Sequence, residues 1–312
     1  MTLEMLHLYC DIVRLRSFSR GAAANQVSQS AASQAIQQLE AELGVQLIDR
    51  SKRPLAVTPE GRAYHEACRT LLQGYDKAVA DLAALRGQVM GDVRVAAIYS
   101  VGLHDMSRHV QRFMALHPHA KVRLDYLHPH KVVEAVVGDE ADLGVLSYPE
   151  PSRALAVIPL RLEPIVFVCA PGHRLARRRA VAPADLDGEP FVAFDPDLRV
   201  RKAIDRALKQ HNVRVSPAME FDNIETIKQA IVLGAGVSLL PEPTVRREVA
   251  NRGLVAVPLA MPNLVRPVGI IHRRNKRFSP AVARFSELLR AAEGSGASPP
   301  ARAAGASPIW ER

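Results

Sequence analysis

Residues 17–43, SFSRGAAANQVSQSAASQAIQQLEAEL, hold two helical patterns separated by one tight turn, and the second pattern has two unlike faces. At 100° per residue, Ala32, Ile36, Leu39 and Leu43 fall on one apolar stripe that can be buried. Ser30, Ser33, Gln34 and Gln37 cluster roughly 140° away. A solvated helix face ordinarily carries Lys and Glu. This one carries amides and hydroxyls, the groups that pair with base edges in a DNA major groove. Gln34 and Gln37 can each grip adenine N6 and N7 with a carbonyl and an amide, while Ser30 or Ser33 can donate to a base or a phosphate. Gln29, near the helix start, can reach a phosphate together with the backbone N–H groups there.

Working outward, Leu3, Leu6, Tyr9 or Cys10, and Val13 recur at helical spacing and predict a helix over 3–15. The next helix starts after Ser17 or Ser19, either of which can cap its free N–H groups. The reading helix begins at Gln29 with Ser28 as its cap and ends at Gly44, which suits a left-handed terminal residue. From Val45 to Val57 short apolar runs flank Asp49-Arg50-Ser51-Lys52-Arg53-Pro54, the pattern of a small β-wing. Its cations, Arg50, Lys52 and Arg53, are placed for phosphates or the adjoining minor groove.

A long helix follows, with Thr58 as cap and Pro59 in its first turn. Within it Tyr64, Cys68, Leu71, Tyr75, Ala78, Leu82, Leu85 and Val89 alternate in steps of four and three. Such an apolar seam predicts a two-stranded coiled coil and hence a homodimer. Gly91 opens a different regime. Strands at 93–98, 122–127 and 142–146 alternate with helices at about 104–116 and 130–137. A similar set follows: strands at 165–170, 191–194, 215–221 and 237–240, with helices at about 199–210 and 223–233. A strand at 265–271 and a helix at about 279–291 close the fold. The alternation predicts two α/β lobes with a mostly parallel sheet, helices on both faces and two crossover strands. The final GSGASPPARAAGASPIWER is rich in Gly, Ala, Ser and Pro and predicts disorder.

Ser17-Phe18-Ser19, Ala22-Ala23, Val27-Ser28-Gln29-Ser30, Ser33, Ile36, Leu39-Glu40, Leu43-Gly44-Val45, Leu47, Arg50-Ser51, Leu55 and Thr58-Pro59-Glu60-Gly61 stand in register with one known pattern. This part of the chain resembles the N-terminal winged helix-turn-helix of LysR-type transcriptional regulators. The resemblance runs from residue 1 to about 292. It implies a DNA-binding domain over 1–58, a linker and dimerisation helix over 59–90, an effector-binding domain over 91–292 and a disordered tail over 293–312. The effector domain is expected to resemble periplasmic binding proteins, with lobe I at about 91–161 and 268–292 and lobe II at about 162–267. The implied partners are double-stranded DNA carrying an interrupted palindrome, a small-molecule effector, a second copy through the linker helix, and a tetramer built from such dimers. RNA polymerase is a further candidate partner. One departure stands out. Family members often carry Arg or His near the position of Gln34, whereas here no cation lies between Gln29 and Leu43.

The whole-chain charge of +9 does not by itself point to nucleic acid. Residues 1–60 carry six basic and six acidic side chains, and most of the excess lies beyond residue 90. The N-terminus has acidic residues inside its apolar part and no cleavage-site pattern, which predicts a cytoplasmic location; no apolar run is long enough to cross a bilayer. Cys10, Cys68 and Cys169 are odd in number and widely spaced, arguing against a disulfide framework or a zinc site. Peroxide-sensing members of the family use a cysteine pair within the effector domain. Only Cys169 lies there, so an intramolecular redox switch is not expected.

In folds of this shape small ligands sit between lobes, at strand ends and helix N-termini. The family pattern implies Tyr99, Ser100, Val101 and Gly102 after the first strand, His128 after the second, Ser147 at the lobe crossing, and Asp195, Asn223 and Thr226 from the second lobe. An anionic effector fits the exposed N–H groups expected at the Ser100 turn. Six of the eleven histidines fall between His104 and His130, which raises the alternative of a solute-binding or metal-sensing regulator. No nucleophile elbow, glycine-rich phosphate loop or metal-hydrolase spacing is present, and neither an enzyme nor a cofactor is expected.

Overall fold

The structure, a computed structural model, describes residues 2–101 and 106–294. It divides into two compact units, residues 1–87 and 88–312. The expected tail lies outside the described residues except for its first two positions, which continue the last helix.

In the first unit the helices run Leu3–Leu15 (α1), Phe18–Ala24 (α2) and Gln29–Leu43 (α3). Each begins on a hydroxyl cap. Thr2 accepts from Met5 N–H at 3.3 Å, Ser17 from Arg20 N–H at 3.3 Å and Ser28 from Ala31 N–H at 3.1 Å. Strands β1 (Ile48–Asp49) and β2 (Ala56–Val57) pair antiparallel as the wing. Helix α4, Pro59–Ala84, is capped by Thr58, whose hydroxyl accepts from Gly61 N–H at 2.9 Å and donates to Gln46 C=O at 2.7 Å. Leu6, Tyr9, Ile12, Ala32, Ile36, Leu39, Leu47 and Cys68 are among the residues of one buried core. Gly61 lets α4 come close to the wing, since a Cβ there would lie 2.1 Å from Leu47 C=O. Leu43 does not join the buried stripe: it is exposed at the helix end, where Gly44 (φ +68°) turns the chain away.

Helix α4 corrects the expected linker in two ways. It stops at Ala84 rather than near residue 90, and Gly87 (φ +72°) follows in a turn. Val89 lies beyond it and packs on the core of the second unit. The apolar seam is also divided. Tyr64 and Cys68 turn into their own unit's core along with Leu72, whereas Leu71 (60% exposed), Tyr75, Ala78, Leu82 (65%) and Leu85 face solvent.

The second unit runs β3 (Met90–Ala97), α5 (Tyr99–Val101), α6 (Ser107–Leu116), β4 (His119–Tyr126), α7 (Pro129–Val137), β5 (Leu143–Ser147) and β6 (Leu155–Cys169). It continues through β7 (Pro190–Phe194), α8 (Arg199–Gln210), β8 (Ser216–Phe221), α9 (Ile224–Val232), β9 (Ser238–Pro241), α10 (Arg246–Ala250), β10 (Val255–Val257), β11 (Val265–Arg273) and α11 (Pro280–Gly294). One sheet has the order β10-β6-β11-β5-β3-β4, with β9 also on β6. Strands β7 and β8 form a separate parallel pair.

The expected mostly parallel sheet is corrected. Pairs β3–β4 and β3–β5 are parallel, but β11 runs antiparallel to β5 and β6, and β6 antiparallel to β9 and β10. The cause is the length of the two crossover strands. They pair directly from Leu155↔Arg273 to Val265↔Pro164 and carry the chain between two separate cores. One core gathers β3, β5, Val268, Ile270 and Ile271 of β11 and Phe285 of α11; the other gathers the end of β6, β7, α8, α9 and β9.

Candidate functional site

On α3 the face opposite Ala32, Ile36 and Leu39 is open. Gln29, Ser30, Gln34 and Gln37 are exposed and Ser33 is half-buried. Ser30 Oγ lies 3.0 Å from the Oγ of the capping Ser28, so one of its contacts is used locally. Gln37 lines a concavity with Glu40, Gln46 and Arg50. The wing cations fall into two kinds. Lys52 and Arg53 are exposed, Lys52 standing 3.7 Å from Asp49.

Arg50 is occupied instead. Its Nη2 donates to Glu40 Oε2 at 2.9 Å, and its guanidinium lies 5.3 Å from the centre of the Phe18 ring. The other Glu40 oxygen accepts from the backbone N–H groups of Leu47 (2.8 Å) and Ile48 (3.0 Å). The Glu40 carboxylate therefore joins α3 to the root of the wing, and Arg50 neutralises it. Sequence reading assigned Arg50 to phosphate because a cation beside Lys52 and Arg53 looks like its neighbours. The distant carboxylate that holds it carries no local signal.

In the second unit the expected effector residues are dispersed more unevenly. Ser100 sits in the single turn α5, directly after β3. Val101 is buried and its N–H bonds Ile98 C=O at 3.1 Å. Gly102 and His104 lie outside the described residues. Tyr99 is exposed and stacks on Tyr126 with centroids 6.0 Å apart. Turn α5 lies against α9 of the opposite lobe, the helix that carries Thr226 at its exposed surface. Asn223 caps α9, accepting from Glu225 N–H at 2.8 Å, and Asp195 accepts from Asp197 N–H at 2.8 Å. Ser147 ends β5 opposite Val268. His128 and His130 bring their Nδ1 atoms to 2.6 Å at the end of β4, whereas His117 and His119 flank its start. Among the described residues no three His, Cys, Asp or Glu side chains come together as metal ligands.

The chemistry beneath Ser100 was missed from sequence. Arg266 on β11 is 2% exposed, and its Nη1 donates to Ser100 Oγ at 2.8 Å. Its Nε donates to Glu163 Oε2 at 2.6 Å, and Arg161 Nε donates to the other oxygen of Glu163 at 2.7 Å. Glu163 is itself 1% exposed. Two guanidiniums thus share one carboxylate beneath Ser100. Burial raises the Tyr148 phenol to about 12, the nearby Arg266 charge pulling the other way. Its hydroxyl bonds Val265 C=O at 3.3 Å. The missed signal is register: Glu163 and Arg266 are paired partners across β6 and β11.

Comparison with known proteins bears on both units. Residues 3–62 match the family described as bacterial regulatory helix-turn-helix protein, lysR family, and residues 86–294 match the LysR substrate binding domain. The chain is 27% identical to the RuBisCO operon transcriptional regulator of Acidithiobacillus ferrooxidans over 96% of each chain. Among solved structures, a variant of full-length OxyR from Pseudomonas aeruginosa aligns with a TM-score of 0.73 at 22% identity, covering 93% of this chain and 94% of that one. The regulatory domain of CcmR from Synechocystis PCC6803, in complex with 2-PG, aligns with a TM-score of 0.61 at 24% identity, covering 66% and 99%.

Proposed function

Since the chain belongs to the lysR family of bacterial helix-turn-helix regulators, we propose that α3 reads an interrupted palindrome as one of a two-fold pair and that a small anion bound beside Ser100 controls it. The carrying observation is the Arg161–Glu163–Arg266–Ser100 chain. An Arg266 N–H donates to Ser100 Oγ, which leaves the hydroxyl proton to donate outward to a carboxylate or phosphate oxygen. The similarity in fold to a regulatory domain in complex with 2-PG is consistent with a small-molecule ligand in this domain. The histidine-rich alternative gains no support, because its two His-x-His pairs sit at opposite ends of β4.

On the DNA side, Gln34 and Gln37 are read as base contacts, Ser30, Ser33 and Gln29 as base or phosphate contacts, and Lys52 and Arg53 as phosphate contacts. The exposed seam of α4 is read as the pairing surface, with a tetramer and a contact to RNA polymerase as further steps of assembly. Two experiments test the reading. Fluorescence anisotropy of the full chain on its own promoter DNA, with nonspecific competitor, should give a sequence preference that weakens by about 1–3 kcal/mol for each of Gln34→Ala and Gln37→Ala. An unchanged preference in the double variant would remove α3 as the reader. A thermal-shift panel of carboxylates and phosphate esters should give hits that Ser100→Ala abolishes. Hits confined to neutral or cationic compounds would sink the anion reading.

A further inference from the structure

The fold brings together two cysteines that the sequence sets far apart. Cys10 lies on the third turn of α1 and Cys68 on the third turn of α4. Both belong to the core between those helices, Cys68 1% exposed and Cys10 half-buried at its edge. The approach is fixed on either side. The Tyr9 ring lies 5.4 Å from the ring of Tyr64, one turn before Cys68, and the Tyr9 hydroxyl bonds Gly61 C=O at 2.8 Å. Between these anchors the Cys10 and Cys68 side chains are hydrogen-bonded to each other.

We propose that Cys10 and Cys68 form a reversible dithiol–disulfide site that ties the first helix to the linker helix when the chain meets a peroxide. The thiolate of Cys68 attacks one peroxide oxygen. The O–O bond breaks, one water leaves, and Cys68 becomes a sulfenic acid. The sulfur of Cys10 then attacks the Cys68 sulfur and expels its hydroxyl as a second water. Two thiols lose two electrons and two protons in total, and one peroxide becomes two waters. A dithiol reductant runs the exchange backwards.

The hydrogen bond assigns the roles. The bond with Cys10 lowers the Cys68 thiol below its ordinary value, against the opposing effect of burial, and Tyr64 adds to the lowering. The same bond, with burial, pushes Cys10 up. Cys10 at the core edge supplies the opening to solvent. Cys169 differs on each count: it is buried in the other unit, and burial followed by the Glu189 charge raises it to about 11. This pair is separate from anything in the effector domain and does not depend on the Ser100 reading.

The test counts thiols. Reduced full-length chain is treated with hydrogen peroxide in the folded state, then denatured, capped with N-ethylmaleimide and weighed intact. The expected product is a single chain carrying one maleimide, on Cys169, two hydrogens lighter elsewhere, with a peptide link between Cys10 and Cys68. Dithiothreitol should restore three maleimides. Cys10→Ser and Cys68→Ala, each checked for folding by circular dichroism, should lose the link. Three maleimides after peroxide, a disulfide between two chains, or sulfinic acid at Cys68 without a link would each overturn the proposal.

Discussion

The Glu40 carboxylate is engaged by three groups, two backbone N–H groups of the wing root and the Arg50 guanidinium. Glu40→Ala would leave two half-buried N–H groups without an acceptor, and unfolding in urea should show a loss of about 3 kcal/mol. Arg50→Ala should likewise weaken folding while leaving the salt dependence of DNA binding almost unchanged. Lys52→Ala and Arg53→Ala should each cut that slope by about 0.9 with little effect on stability. A second residue-scale prediction concerns Asp142. Burial alone would raise its carboxyl, but Arg94 and Lys276 outweigh burial and hold it below the usual value of 3.8. Arg94 Nη2 reaches it at 2.8 Å and Lys276 Nζ at 2.6 Å. Since the folded value is the depressed one, the stabilisation is complete above the unfolded value and is lost as pH falls through the folded one. Thermal melts below about pH 4 should therefore fall more steeply for the native chain than for Asp142→Asn.

At the scale of elements, α4 shows how one pattern can serve two partners. Tyr64 and Cys68 face α1, and the steps of four and three from Leu71 to Leu85 remain uncovered. Replacing Leu82 by Glu should weaken self-association by about a hundredfold or more in sedimentation, because a symmetric pair loses two buried leucines at about 1.5–3 kcal/mol each. Helix content should hardly change. The starts of α3 and α4 and the stop of α3 were legible because each is written locally: Ser28 and Thr58 cap, Pro59 opens and Gly44 closes. The division of the α4 seam was not legible, since periodicity says that a residue is covered and not by what. The antiparallel crossovers escaped for a similar reason. In β6 the half before Ile165 is partly exposed and is interrupted by Pro159, Arg161, Glu163 and Pro164, which hides its continuity with the apolar run of the second half. The open amide-and-hydroxyl face of α3 could be seen in the residues themselves. The charged network under Ser100 could not, because it joins positions brought together only by the register of β6 on β11.

For the molecule as a whole, net charge and function are divided between units. The first sixty residues carry no net charge, α3 has no cation, and Arg50 is neutralised at home. Operator affinity should therefore depend more on base identity than on counterion release. A salt titration with a log–log slope of magnitude near ten would contradict this. The two crossover strands have a further consequence, for the order of events on the ribosome. The core of the first lobe needs Val268, Ile270, Ala281 and Phe285, which are made about two hundred residues after Leu72, the point at which the helix-turn-helix core is complete. During synthesis the part that would grip DNA can thus be finished long before the part that would restrain it. A chain stalled or clipped before β11 would be a reader without its sensor, and the cell would be exposed to it until β11 and α11 are made.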